Sequence, residues 1–126
     1  MKYEEITDKI IACAFKVYNT LGYGYLESVY EKCMEIEYNK VGLSSEPHKP
    51  IDVMYEGINV GHFIADAVIE GKIIVEYKSI HNLNKIHEVQ LVNYLVATGI
   101  DVGILINFGE ETVEIKRKVR DLKDLK

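Results

Sequence analysis

A chain of 126 residues, 48% hydrophobic and 28% charged, is long enough to bury one core and too short for two, so residues 1–126 are expected to form a single domain. No apolar run approaches the length that spans a bilayer, which excludes a helical membrane protein. A net charge of −5 argues against gripping nucleic acid through a broad basic surface. The opening MKYEEITDKI lacks the apolar centre of a signal peptide, so the expected compartment is cytoplasmic. Cys13 and Cys33 have no close-spaced second thiol and no Cys-His cluster, and read as free thiols in a reducing environment.

In chain order, Ile6, Ile10, Cys13 or Ala14, Val17 and Leu21 recur at helical spacing and predict a helix from about Glu4 to Thr20, stopped at Gly22-Tyr23-Gly24. A second helix is predicted from about Leu26 to Lys40, with an inward stripe drawn from Val29, Cys33, Met34 and Ile36. Glu27 falls in its first turn, where the helix dipole favours a carboxylate; it could equally reach toward a metal or water. Pro47 and Pro50 make Ser44 to Pro50 an irregular or edge segment. Strands follow over Asp52 to Tyr55, Ile58 to Ile69 and Lys72 to Ile80, then a helix over Lys85 to Thr98. Val102 to Phe108 is apolar on both faces, as a buried parallel strand is, and Thr112 to Val119 is a more polar edge strand. The order is α-α-β-β-β-α-β-β, with the strand, helix and strand from Lys72 to Phe108 forming a right-handed crossover.

The stretch Gly61 to Ser79 carries the chemistry. If the turn Glu70-Gly71-Lys72 holds three residues, with Gly71 at a left-handed position, Ile69 pairs with Ile73 and Asp66 falls opposite Glu76. Glu76 and Lys78 then share one face, and Ile73, Val75 and Tyr77 share the other. Two carboxylates opposed across an apolar ladder repel each other and call for a divalent cation. Oxygen ligands from Asp66, Glu76, Glu27 and the Tyr77 carbonyl suit Mg²⁺, with Mn²⁺ as substitute. Lys78 would orient or deprotonate a water, or offset charge on a phosphate. On the later helix, Gln90 and Tyr94 stand at i, i+4, with His87 one turn earlier, as groups to position a nucleotide or, for His87, to cap the helix. Taken alone, D-x9-E-x-K also fits an ion pair across a solvated ladder. The bland reading of His62 is a partly buried structural histidine, that of Asn107 a structural amide, and Tyr30 is expected to brace Glu27.

The run Gly24-Tyr25-Leu26-Glu27-Ser28-Val29-Tyr30 reads G-x-x-E-x-x-Y. With Asp66, Glu76-Tyr77-Lys78, His87-Glu88-Val89-Gln90 and Leu105-Ile106-Asn107-Phe108-Gly109, the chain resembles the GxxExxY protein family over roughly Glu5 to Val119. That family is placed in the PD-(D/E)XK nuclease-like superfamily. The resemblance implies a restriction-endonuclease-like α/β core, a mixed central sheet flanked by helices. It also implies a Mg²⁺-dependent nuclease site on Glu27, Asp66, Glu76 and Lys78, and Gln90 and Tyr94 match the Q-x-x-x-Y helix motif of RecB-like and lambda-exonuclease-like members.

The expected function is thus a divalent-metal-dependent nuclease or phosphodiesterase acting on DNA. Its rivals are a non-catalytic nucleic-acid-binding or protein-interaction module that keeps the fold, which the acidic balance favours, and a hydrolase of small nucleotides. A homodimer is expected, since many superfamily nucleases pair to present two sites to a duplex. From Thr112 to Lys126, six basic residues against three acidic ones make the segment +3 and leave −8 elsewhere, so the tail from Lys116 onward could serve the DNA or the dimer contact.

Overall fold

The computed structural model describes residues 2–120. Asp121, Lys123, Asp124 and Lys126 of the basic tail lie outside the described residues. The elements are α1 (Glu4–Leu21), α2 (Glu27–Lys40), β1 (Ser45–Tyr55), β2 (Ile58–Ile69), β3 (Ile73–Lys78), α3 (Lys85–Thr98), β4 (Val102–Phe108) and β5 (Val113–Val119). One five-stranded sheet has the order β1-β2-β3-β4-β5, antiparallel throughout except for the parallel β3/β4 pair that α3 connects. This is the mixed α/β architecture and the element order expected from the sequence.

Two cores sandwich the sheet. On one face α1 and α2 bury Ile10, Val17, Met34 and Tyr38 against Ile73, Val75, Ile104 and Ile106. On the other, Leu91 and Leu95 of α3 pack on Val68, Ile74 and Leu105. β3 and β4, covered on both faces, are accordingly apolar at nearly every position. Their residues alternate between the two cores as period two requires.

Three local features differ from expectation. First, β1 begins at Ser45 rather than Asp52; of the two alternatives for the segment with Pro47 and Pro50 the edge one holds, since an edge strand tolerates proline on the unpaired side of its ladder. Second, the buried stripe of α2 is Tyr30-Met34-Tyr38, spaced i, i+4, i+8, while Ile36 is 57% exposed. Aromatic bulk, rather than the aliphatic residues of the sequence, fills the groove; Tyr30 stacks on Phe108 with centroids 4.2 Å apart. Third, Glu70 joins Gly71 in the left-handed region, with φ of 57° and 66°, and the Lys72 N–H donates to the Ile69 carbonyl at 3.0 Å. The register is nonetheless the expected one, Ile69 opposite Ile73.

Three basic residues in and just after β5 are engaged within the fold, while Lys116 is exposed. Arg120 pairs with Asp101 at 2.7 Å, Lys118 with Glu88 at 2.5 Å, and Arg117 donates to the Lys2 carbonyl at 2.7 Å. At the crossing of α3 over β4, Gly103 leaves no room for a side chain. A Cβ there would stand 2.8 Å from Leu91 Cδ1, and Leu91 is itself buried. Gly103→Ala should therefore destabilise the fold by about 1–3 kcal/mol, the usual cost of overpacking. Urea unfolding checks this, and Leu91→Ala in the same chain should recover part of the alanine's overpacking cost.

Candidate active site

Between Ala65 and Ala67 strand β2 turns over. Phe63 and Ala65 pack with the α3 core, whereas Ala67 and Ile69, of the same parity, pack with the α1/α2 core. Pairing to β3 runs from Ile69↔Ile73 to Ala67↔Val75 and ends there. On the other side, the β1 ladder has partners at Pro47↔Ala67 and Lys49↔Ala65 but none between His48 and Asp66, and His48 has a φ of 51°. Asp66 thus sits where β2 leaves β3 and where one rung of the continuing β1/β2 ladder is skipped. Its Oδ2 accepts the N–H of Tyr77 at 2.8 Å and so replaces the next rung of the β2/β3 ladder. In an extended strand a residue's N–H and C=O leave from the same edge, so the Tyr77 carbonyl also faces this gap.

Carboxylates converge on Asp66 from α2 and from β3. Oxygens of Glu27, Glu31 and Asp66 lie within 4.8 Å of one another. Glu27 opens α2, whose start is held near the end of β3 by the Ser79 hydroxyl donating to the Tyr25 carbonyl at 2.8 Å. One turn on, Glu31 faces His48, with Oε1 3.6 Å from Nε2. Glu76 interacts with Asp66 from β3, and its Oε1 is buried with no hydrogen-bond partner.

The electrostatics follow from this crowding. Burial first, and the Asp66 charge second, push the Glu76 carboxyl up to about 9, with Lys78 opposing. The same two causes raise Glu31 to about 7, with His48 opposing. Glu27 is raised as well, again by burial and Asp66 and against Lys78. Lys78 therefore lies within electrostatic reach of both Glu27 and Glu76. Its strand end is clamped by Asn107, whose side-chain amide accepts from the Ile80 N–H and donates to the Ile80 carbonyl, both at 3.0 Å.

The helix α3 contributes Tyr94, which stacks on Phe63 with centroids 3.7 Å apart and feels the charges of Glu76 and Asp66. Gln90, one turn earlier, is exposed. His87 Nδ1 accepts the Asn84 N–H at 3.3 Å and closes a capping box at the start of α3. His62 is exposed and paired opposite Asp52, not partly buried, because β2 rotates before Asp66. Tyr30 does not brace Glu27; its hydroxyl donates to the Gly22 carbonyl. Sequence reasoning missed Glu31 and His48. The i, i+4 spacing of Glu27 and Glu31 was a usable signal for the first, while nothing in the sequence marks the backbone turn at His48.

Carboxyls held above their ordinary value of 4.5 bind protons in the folded chain that the unfolded chain releases. The metal-free fold should therefore lose stability as pH rises from about 4.5 toward the folded values of about 7 for Glu31 and about 9 for Glu76. Glu76→Gln should flatten this slope and exceed the wild type in stability at the alkaline end. Thermal melts across that range check it, and an unchanged slope would mean that Glu76 does not carry the repulsion.

A family profile described as the PD-(D/E)XK nuclease superfamily matches residues 4–118. The crystal structure of SSO0001 superposes with a TM-score of 0.55 at 17% identity, over 94% of this chain and 60% of that one, so this chain spans three-fifths of the other's length and shares its fold. No curated protein matches. With the profile spanning nearly every described element, the chain belongs to the PD-(D/E)XK nuclease superfamily.

Proposed function

We propose that the protein is a Mg²⁺-dependent nuclease of the GxxExxY branch, a single nuclease domain that hydrolyses phosphodiester bonds in DNA. The observation that carries the reading is the Asp66 carboxylate at the broken ladder, bonded to the Tyr77 N–H and gathered with Glu27 and Glu31. The donor set fits the ion. It consists of carboxylate oxygens and one backbone carbonyl, the hard ligands Mg²⁺ takes, and the buried Glu76 Oε1, which has no hydrogen-bond partner, is of the same oxygen type.

In this reading Asp66, Glu76 and Glu27 hold the metal, with the Tyr77 carbonyl beside them and Glu31 adjoining. When bound, the ion supplies Lewis-acid polarisation of the phosphoryl oxygen and a more acidic water. Lys78, within electrostatic reach of Glu27 and Glu76, would turn its ammonium toward the phosphate. From there it offsets charge developing on the phosphoryl oxygens or orients the attacking water. Tyr94, stacked on Phe63, lies within electrostatic reach of Glu76 and Asp66, and the exposed Gln90 and half-buried His87 extend along α3 as nucleotide-positioning groups. Two copies presenting two sites to one nucleic acid, in a cytoplasmic compartment, complete the reading.

A non-catalytic module with the same fold is the second reading, favoured by the net charge of −5 and by the engagement of Arg117, Lys118 and Arg120 inside the fold. One experiment separates them. Purified protein incubated with Mg²⁺ or Mn²⁺ and labelled DNA should cleave it, and Lys78→Ala should lower the rate by about 10²-fold or more while leaving the melting temperature within a few degrees. Cleavage that survives in Lys78→Ala, or no cleavage of duplex, single-stranded or branched DNA by the wild type, would favour the non-catalytic module.

A further inference from the structure

A second feature adjoins the carboxylates. Between α2 and the start of β1 a cleft of about 410 Å³ opens, within the usual ~300–1,000 Å³ of small-molecule sites. Asp66 and Glu31 form part of its lining, together with Tyr77, whose side chain is buried. Its walls are Ile36, which is 57% exposed and outside the core, and Pro47. Exposed Lys32 and His48 stand at its rim, and Glu35 lines it further along α2.

From this arrangement we infer that the cleft is a subsite for one unpaired nucleobase of the substrate strand, which makes single-stranded or frayed DNA the preferred substrate. The inference rests on the nuclease reading above. An occupant of the cleft touches Asp66 and Glu31, so it is held directly beside the metal ligands. A base suits this chemistry better than other parts of a nucleic acid. Its flat apolar faces match Ile36 and Pro47, and its exocyclic amino group donates to carboxylates such as Glu31 or Glu35, the pairing by which acidic side chains recognise cytosine. A phosphate inside would meet three carboxylates, whereas at the rim it meets Lys32 and His48. A paired base cannot enter without leaving its stack, and that cost is least for an already single strand.

The test compares binding of a short single-stranded DNA and its duplex, each carrying 2-aminopurine, to the full chain with Ca²⁺ in place of Mg²⁺. Wild type should bind the single strand at least about tenfold more tightly than the duplex, with 2-aminopurine emission rising as one base leaves its neighbours. Ile36→Trp fills the cleft from an exposed position, so the fold and a Mn²⁺ titration should be unchanged while the single-strand preference falls to near unity and the emission rise is lost. An equal affinity for both DNAs in the wild type, or an unchanged or larger preference in Ile36→Trp, would overturn the subsite. If the wild type takes up Mn²⁺ and binds DNA without such preference, the subsite alone fails. If it binds neither Mn²⁺ nor DNA, the nuclease reading fails and the subsite with it.

Discussion

The hydrogen bond from the Tyr77 N–H to the Asp66 carboxylate is the contact on which the site depends. It stands where a backbone carbonyl would continue the β2/β3 ladder. Because the side chain satisfies the amide, β2 can part from β3 at this point without leaving a buried donor unpaired. At that parting, groups from both sides of the sheet come within electrostatic reach of one another: Glu27 and Glu31 from α2, Glu76 and Lys78 from β3, Tyr94 from α3.

Repulsion is the consequence of this construction. Burial first and the Asp66 charge second raise the proton affinity of Glu27, Glu31 and Glu76, and Lys78 opposes this at Glu27 and Glu76 without cancelling it. A fold does not gain stability from such a cluster, and the surrounding rigidity holds it in place. The two apolar cores grip β3 from both faces, Asn107 clamps the segment after Lys78, and Ser79 ties that segment to the start of α2. A divalent cation would convert the repulsion into binding energy. It would also reconcile an acidic protein with a polyanionic substrate, since net charge −5 offers phosphate little attraction of its own.

Much of this was legible in the sequence. The turn at Gly71 and the alternation on either side were enough to put Ile69 opposite Ile73, and the bounds of α3 and β4 follow from helical periodicity and from an apolar run flanked by polar residues. Asp66, Glu76 and Lys78 stood out because charges are rare in such strands. What escaped sequence reasoning was the rotation of β2 at Asp66. Strict alternation puts His62 and Asp66 on one face, yet the strand turns over between Ala65 and Ala67, leaving His62 exposed and aiming Asp66 into the gap. Glu31 escaped for a related reason. On a helix rich in Glu and Lys it reads as a solvated charge, and only the approach of β2 shows that it faces inward. The inward stripe of α2 was misread because Tyr30 and Tyr38 can face either water or core, and stacking on Phe108 together with the hydroxyl pair of Tyr38 and Tyr77 decides for the core.

The central claim, that the Asp66-centred carboxylates form a divalent-metal site, is tested most directly by calorimetric titration of the metal-free protein with Mn²⁺ beside Asp66→Asn. The asparagine oxygen can still accept the Tyr77 N–H, so the variant removes charge and keeps the ladder's end intact. Saturable binding in the wild type that is lost in Asp66→Asn, with both proteins folded, is the result the account predicts. Absence of binding in the wild type, or binding undiminished in the variant, would contradict it.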